Sequence, residues 1–293
     1  MAKVGPFHYW SRMVSRQFVK RVLRRDLTLV LPNSRTVYLP LNSAFSSVAW
    51  VTDGAVDDGL EVLLRVLGEQ NTAFFDVGAH FGFYCSFLCD RHSPVVAFEP
   101  DTRTLPALRR NLAHIPDAQC IAAAVSDKEG QIRFSNAESA PQSRILSEGE
   151  AVRGGSVTTV PLVTLDQVWS NLGTPTVGVM KIDTEGHEEA VLRGAKTLIE
   201  TCRPLILVEA TGPSLAPHAN WLDSFGYCAL TLTDRHHALR QKVRIFAIRD
   251  IKSEFIEGMV LLVPARTRTL AAWAELEAGG CALSLSAGNW SSN

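Results

Sequence analysis

The sequence has no apolar run of the ~18 residues that a membrane-spanning helix needs, and no uninterrupted signal-peptide core at its start. A soluble, cytoplasmic chain is therefore expected. A Cys-x-x-Cys pair is missing as well. The six cysteines (Cys85, Cys89, Cys120, Cys202, Cys228, Cys281) follow no repeating spacing, so neither a zinc site nor a disulfide framework is indicated, and a reducing compartment fits. Cys85 and Cys89 fall four apart on one face of an expected helix, where two small buried side chains are the plain reading and a redox or metal pair the alternative. With 20 glycines and 14 prolines, the composition excludes collagen-like, elastic and wholly disordered chains.

What is present is apolar mass: 46% of the 293 residues are hydrophobic and 20% charged, enough for one large domain or two small ones. The net charge of −1 hides an asymmetry. Residues 1–26 hold seven bases and one acid, a net of six positive charges, so the remaining chain is at −7. An acidic body argues against broad nucleic-acid binding, which needs a basic face to displace counterions.

Residues 8–25 read as an amphipathic helix with an apolar stripe (Trp10, Met13, Val14, Phe18, Val22) and a basic one (Arg12, Arg16, Lys20, Arg24). The pattern suits packing on the chain's own domain, peripheral contact with an anionic membrane surface, or an oligomer contact. Leu27–Leu31 and Thr36–Leu39 flank Pro32-Asn33-Ser34 as a hairpin, and Asp57–Leu67 carries leucines on one helical face.

From residue 73 the pattern alternates. Strands are expected at Ala73–Val77, Pro94–Phe98, Gln119–Val125, Thr176–Ile182 and Leu205–Val208. Helices are expected at Phe83–Cys89, around Leu105–Leu112, at Leu165–Trp169, over Val191–Ile199 and at Trp221–Phe225. Repeated β-α units demand a parallel sheet covered on both faces, hence an α/β class. Tyr227–Thr233 and Met259–Val263 have only a charged stretch between them (His236, His237, Arg240), so the last strand is expected antiparallel.

Three strand tips carry the chemistry. Asp76-Val77-Gly78-Ala79-His80-Phe81-Gly82 ends the first core strand in an acid and a glycine turn, a ligand cradle at the carboxyl edge of the sheet. Glu99-Pro100 ends the next strand, where a carboxylate can accept both hydroxyls of a ribose. The spacing fits neither G-x-G-x-x-G nor a P-loop; acid-glycine turn, ribose carboxylate and antiparallel ending together favour S-adenosylmethionine. Lys181-Ile182-Asp183-Thr184-Glu185-Gly186-His187-Glu188 brings two more acids to the same edge. Such a cluster is costly unless it faces a cation, which the sulfonium and ammonium of the cofactor supply. Glu185 and Glu188 can equally favour the N-terminus of the helix that follows. Lys181, two residues before Asp183, shares its strand face and is expected to pair with it.

Together with Ala124-Val125-Ser126-Asp127, Val163-Thr164-Leu165-Asp166 and Pro204-Leu205-Ile206-Leu207-Val208-Glu209, these segments resemble the FkbM-type S-adenosylmethionine-dependent methyltransferases over roughly residues 55–265. The resemblance implies a class I methyltransferase (Rossmann-like) fold: a seven-stranded, mostly parallel sheet with an antiparallel last strand and helices on both faces. The resemblance covers the middle of three parts, the outer two being read from the residues: a basic N-terminal helix (1–26), a methyltransferase domain (27–265, core 55–265) and a C-terminal helix with a polar tail (266–293). It places Asp76, Gly78, Ala79, His80 and Gly82 along the methionine part, Glu99 on ribose, and Val125 and Ser126 beside adenine. His80 departs from the family, which often has Asn there. O-methylation of a hydroxyl on a sugar or other small-molecule or glycan acceptor is implied; a hydroxyl acceptor needs its proton removed, for which Asp183, Glu185 or His187 can serve, whereas a carboxylate acceptor does not. His187 as a mere hydrogen-bonding residue, and a divalent ion among Asp183, Glu185 and Glu209, remain alternatives. Acceptor choice is expected in residues 136–156 (including Gln142, Ser143 and Arg144) and 234–257. A non-catalytic adenosine-ligand sensor or membrane-associated scaffold on the same fold is the competing function, and an NAD-dependent oxidoreductase the third.

Overall fold

The computed structural model describes residues 6–57, 59–136, 144–146, 156–211, 215, 217–233, 242–247, 257–265 and 267. The expected helix at 270–276, the 266–293 segment (apart from Thr267), His236, His237, Arg240, Gln142 and Ser143 lie outside them.

Helix α1 (Pro6–Phe18) runs into a single π turn (Val19–Leu23). Both stripes are present, but the first two arginines of the basic one turn inward while most of the apolar one faces solvent. Arg16 is 1% exposed and donates to the carbonyls of Pro40 (3.3 Å) and Leu41 (3.0 Å), whereas Trp10, Val14, Phe18 and Val22 are 54–66% exposed. The carbonyls take Nη2 and the Ser47 hydroxyl takes Nε at 3.3 Å, while Nη1 is buried without a hydrogen-bond partner among the described residues; the alkyl stem packs like an apolar side chain. The expected hairpin forms from β1 (Leu27–Val30) and β2 (Thr36–Leu39), paired antiparallel. Helix α2 (Ala44–Val51), absent from the sequence reading, starts where the Ser43 hydroxyl accepts the Ser46 N–H at 3.1 Å. Helix α3 (Leu60–Leu67) buries Leu60, Leu63, Leu64 and Leu67, the face that the spacing predicted.

The main sheet is built by β3 (Thr72–Val77), α4 (Phe83–Leu88), β4 (His92–Phe98), α5 (Leu105–Leu112) and β5 (Ala118–Ile121). A side excursion follows: β6 (Ala124–Val125), β7 (Gly130–Asn136), β8 (Arg144–Ile145) and β9 (Ser156–Val163). The chain returns through α6 (Leu165–Asn171), β10 (Val177–Ile182), α7 (Glu188–Arg193), α8 (Lys196–Cys202), β11 (Leu205–Thr211), α9 (Ala219–Ser224), β12 (Cys228–Thr233), β13 (Lys242–Ala247) and β14 (Glu257–Val263). The strand order is β13-β12-β14-β11-β10-β3-β4-β5. Strands β5, β4, β3, β10 and β11 are parallel, while β14 lies antiparallel to both β11 and β12.

This is the class I methyltransferase arrangement, seven strands with a reversed last strand, plus an eighth. Strand β13 pairs with β12 along the edge and occupies part of the charged stretch read as strandless. Two further corrections concern boundaries. The single strand expected over Gln119–Val125 divides into β5 and β6, which belong to different sheets. The helical phase over Val191–Ile199 is interrupted at Gly194–Ala195, giving α7 and α8.

Each buried strand contributes alternate residues to two cores. Phe74, Val95, Ala97, Val179 and Leu207 face α3, α4, α5 and the hairpin; Phe75, Val96, Phe98, Met180 and Val208 face α6 to α9. In that register Asp76, Lys181, Glu99, Asp183 and Glu209 extend the first set beyond its apolar part, because each follows it by multiples of two. The second sheet, in the order β6-β9-β7-β8, has a small core of its own (Phe134, Val160, Leu162).

Candidate active site

The glycine turn after β3 presses against the tip of β10. Gly78 has φ +74°, and a Cβ there would sit 1.8 Å from the Asp183 carbonyl oxygen, so no side chain fits. Gly82, at φ +82°, answers a different need: a Cβ would come within 2.8 Å of Leu108 on α5, so this glycine seats α4 against its neighbour. Between them His80 adopts φ +50°. Among residues with a Cβ, Asn, Asp and His enter the left-handed region most readily, so a His is compatible with this turn. Its ring Nδ1 is buried without a hydrogen-bond partner, and burial, helped by nearby Lys181, holds its pKa down at about 4.

Glu99 is the companion of this turn. One carboxylate oxygen accepts the His80 N–H and the other the Asp101 N–H, both at 2.8 Å. The group is 6% exposed, and burial raises its pKa to about 7 against the pull of those two donors. Each oxygen keeps a further lone pair for another donor.

Asp76 sits differently. Fully buried, it accepts the Cys85 S–H at 3.1 Å on one oxygen and has the Lys181 ammonium 3.8 Å from the other. Lys181 donates to the Gly78 carbonyl at 3.0 Å and pairs with Asp183 at 3.1 Å. Burial opposes the lysine's charge, but Asp183 and Asp76 outweigh it and hold the ammonium above its usual range. The cation that the acid cluster requires is thus partly internal to the chain, in the ion pair expected between Lys181 and Asp183.

The segment from Asp183 to Glu188 divides its acids by role. Glu188 accepts from the Thr184 N–H, the Thr184 hydroxyl and the Gly186 N–H through one oxygen at 2.9–3.1 Å, tying the loop to the start of α7. Glu185 stands at φ +55° and Gly186 at +101°. Two left-handed residues in succession turn the Glu185 carboxyl away from that cap, and sparsely populated backbone of this kind collects at functional sites. Partial burial, then the charges of Asp183 and Glu188, raise Glu185 to about 7. Glu209 on β11 is raised to about 8 by burial and by Asp183, Glu185 and Glu188, with which it crowds. His187 faces Ser126, its Nε2 2.8 Å from the serine Oγ, and burial lowers its pKa.

These tips surround one cleft. Of the expected site residues, Gly78, Ala79, His80, Glu99, Val125, Asp183 and Glu185 line it; Asp76, Gly82, Ser126 and His187 lie behind its wall. The sequence reading missed Phe45 of α2, Tyr84, Asp101 and Thr104, and also Phe134 and Ile145 of the second sheet, which close an apolar side over Val125. Arg144 is exposed in β8, next to Ile145. Among the described residues no three of His, Cys, Asp or Glu are grouped to hold a metal.

The sequence of the methyltransferase FkbM domain matches residues 76–228, from the first acidic tip to the start of β12. The chain belongs to the FkbM methyltransferase domain family. It is similar to the hexuronic acid methyltransferase AglP of Haloferax volcanii, 25% identical over 155 residues that cover 51% of this chain and 62% of that protein. Among solved structures it is similar to methyltransferase FkbM from Methylobacillus flagellatus (17% identity, TM-score 0.43, covering 66% of this chain and 43% of that one). It is also similar to the tRNA (uracil-54, C5)-methyltransferase of Pyrococcus abyssi in complex with S-adenosyl-L-homocysteine (14% identity, TM-score 0.41, 81% and 43%). The chain therefore spans less than two thirds of the length of each of these relatives.

Proposed function

We propose that this FkbM-family chain transfers a methyl group from S-adenosylmethionine to a hydroxyl of a sugar or sugar acid. The observation that carries the reading is Glu99: a buried carboxylate, held at a strand tip by two backbone N–H groups, with a lone pair left on each oxygen for the two hydroxyls of a ribose. Phe134, Ile145 and Val125 offer an apolar slot for the base, and the turn at Gly78 brings backbone close to the methionine part. When bound, the cofactor supplies an electrophilic methyl carbon on a sulfonium.

The chain's own work is then to hold the acceptor oxygen in line and to take its proton. Glu185 fits the second task, since it lines the cleft and its pKa near 7 matches a base working near neutrality. Asp183 faces the same space but is committed to Lys181. The sugar acid follows from the similarity to AglP, described as a hexuronic acid methyltransferase.

Calorimetry with S-adenosylhomocysteine and transfer of labelled methyl groups to hexuronate-containing glycans test the reading together. Label stable to mild alkali marks an ether from a hydroxyl; alkali-labile label marks an ester and removes the need for a base. Glu185→Gln is expected to lower kcat about 10²-fold or more and to abolish a rise in rate between about pH 6 and 8, with the S-adenosylhomocysteine Kd unchanged. Failure of the unaltered chain to bind S-adenosylhomocysteine would overturn the proposal at its root.

A further inference from the structure

Helix α1 inverts the rule that amphipathic helices pack their apolar face inward. Phe7 (88% exposed), Trp10, Val14, Phe18 and Val22 recur at intervals of three and four, making one outward ridge along the helix and its π turn. Single exposed apolar side chains are ordinary; five large ones in one row are not. The opposite face is fixed. Arg12 pairs with Asp53 at 3.0 Å and lies 4.3 Å over the Trp50 ring, and Arg16 is sealed beneath the helix on the carbonyls of Pro40 and Leu41. The ridge is thus held outward by buried polar contacts and cannot roll onto the body without breaking them.

At the C-terminal end of this ridge, Lys20, Arg21, Arg24 and Arg25 are all exposed within six residues, on a chain whose residues 27–293 carry −7. We infer that α1 is a docking surface for an anionic lipid bilayer: the row from Phe7 to Val22 enters the headgroup boundary, and the four bases meet lipid phosphates. Charge complementarity selects this occupant. A second copy of the chain in the same pose would bring a like-charged cluster to the interface, whereas an anionic bilayer meets the bases with opposite charge and keeps the acidic body away. No helix among the described residues is long and apolar enough to cross a membrane, so the contact is peripheral.

The test uses the full chain with vesicles of phosphatidylcholine alone or with phosphatidylserine. Cosedimentation is expected with the anionic vesicles, weakening as salt rises. Trp10→Ser with Phe18→Ser, and separately Lys20→Glu with Arg21→Glu, should each lower the partition coefficient about tenfold or more. These side chains are exposed, so an unchanged melting temperature is expected and separates lost docking from lost folding. Equal binding by the serine variant would overturn the proposal. So would absence of vesicle binding together with self-association in sedimentation velocity that the serine pair abolishes, which would assign the ridge to a second copy.

Discussion

Asp76 and Glu99 end neighbouring parallel strands, are both buried, and both have pKa values pushed up by burial, yet their surroundings differ in kind. Asp76 has its answer inside the chain: a thiol on one oxygen and the Lys181 ammonium near the other. Among the described residues Glu99 takes its hydrogen bonds from backbone N–H groups, one per oxygen, with Lys181 acting on it through charge, and it opens onto the cleft. One carboxylate helps build the floor of the site, and the other is left to be completed by what binds there. Position at a strand tip is shared; the role follows from where the compensating donors come from.

The largest effect is expected where the internal compensation is removed. Lys181→Met leaves Asp183 and Asp76 facing each other without a cation, and removing one partner of a buried pair costs about 3–5 kcal/mol. Urea unfolding should show a shifted midpoint at unchanged slope. A loss below about 1 kcal/mol would mean that Asp76 is already neutral in the unaltered protein, and would erase the contrast with Glu99.

Glu99→Gln probes the other side. A side-chain amide presents one acceptor oxygen where the carboxylate presents two, so either the His80 or the Asp101 N–H loses its partner, and a ribose loses one of its two acceptors. Affinity for S-adenosylhomocysteine is expected to fall about 10²-fold, near 2.7 kcal/mol, against a smaller cost in folding of about 1–2 kcal/mol. Calorimetry and thermal melting of the same sample separate the two. Unaltered affinity would sink the assignment of ribose to this carboxylate.

The sequence showed the parts of the molecule whose residues are buried on both sides. Strands β3 and β10 are buried throughout, so they read as short apolar runs ended by turn residues, and the acids at their tips could be placed from the strand ends alone. Strands β7 and β9 have one exposed side and few buried residues, so their polar composition reads as loop; with them went Phe134 and the roof of the cleft. Helix α2 (Ala-Phe-Ser-Ser-Val-Ala-Trp-Val) has no charged face to set a phase, and Phe45 was lost with it. In α1 both stripes were legible, but not which would be inside, because an arginine is buried only when carbonyls elsewhere in the chain supply acceptors. The three acids of the 183–188 loop were likewise visible as a group. Their division into an ion-pair partner, a cleft-facing carboxyl and a loop cap depends on the left-handed turn at Glu185 and Gly186, which spacing does not encode.

The smallest effect is a pH dependence of folding, and its sign follows from the same two carboxylates. Glu99 has its pKa raised from 4.5 to about 7 in the folded chain, so the folded state holds a proton that the unfolded state has released. Its stabilisation is complete below the unfolded value and is lost as pH rises through about 7. His80 and His92, lowered from 6.5 to about 4 by burial, act oppositely: their contribution is present above 6.5 and is lost as pH falls toward 4. Below about pH 6.5 the two kinds offset each other, so the carboxyl slope stands clear only above it. From about pH 6.5 to about pH 8.5 Glu99 alone should cost the ligand-free protein roughly 1 kcal/mol. Glu99→Gln should remove that share of the slope in melting curves recorded across the window. Ribose hydroxyls donating to the ionised carboxylate should remove it too, so saturating S-adenosylhomocysteine is expected to take the Glu99 share out of the profile of the unaltered chain, leaving the slope due to Glu185 and Glu209, and to leave the profile of Glu99→Gln as it was. Asp76, with its cation and thiol already in place, gives no such ligand-dependent change, and a profile indifferent to ligand would make the two carboxylates alike after all.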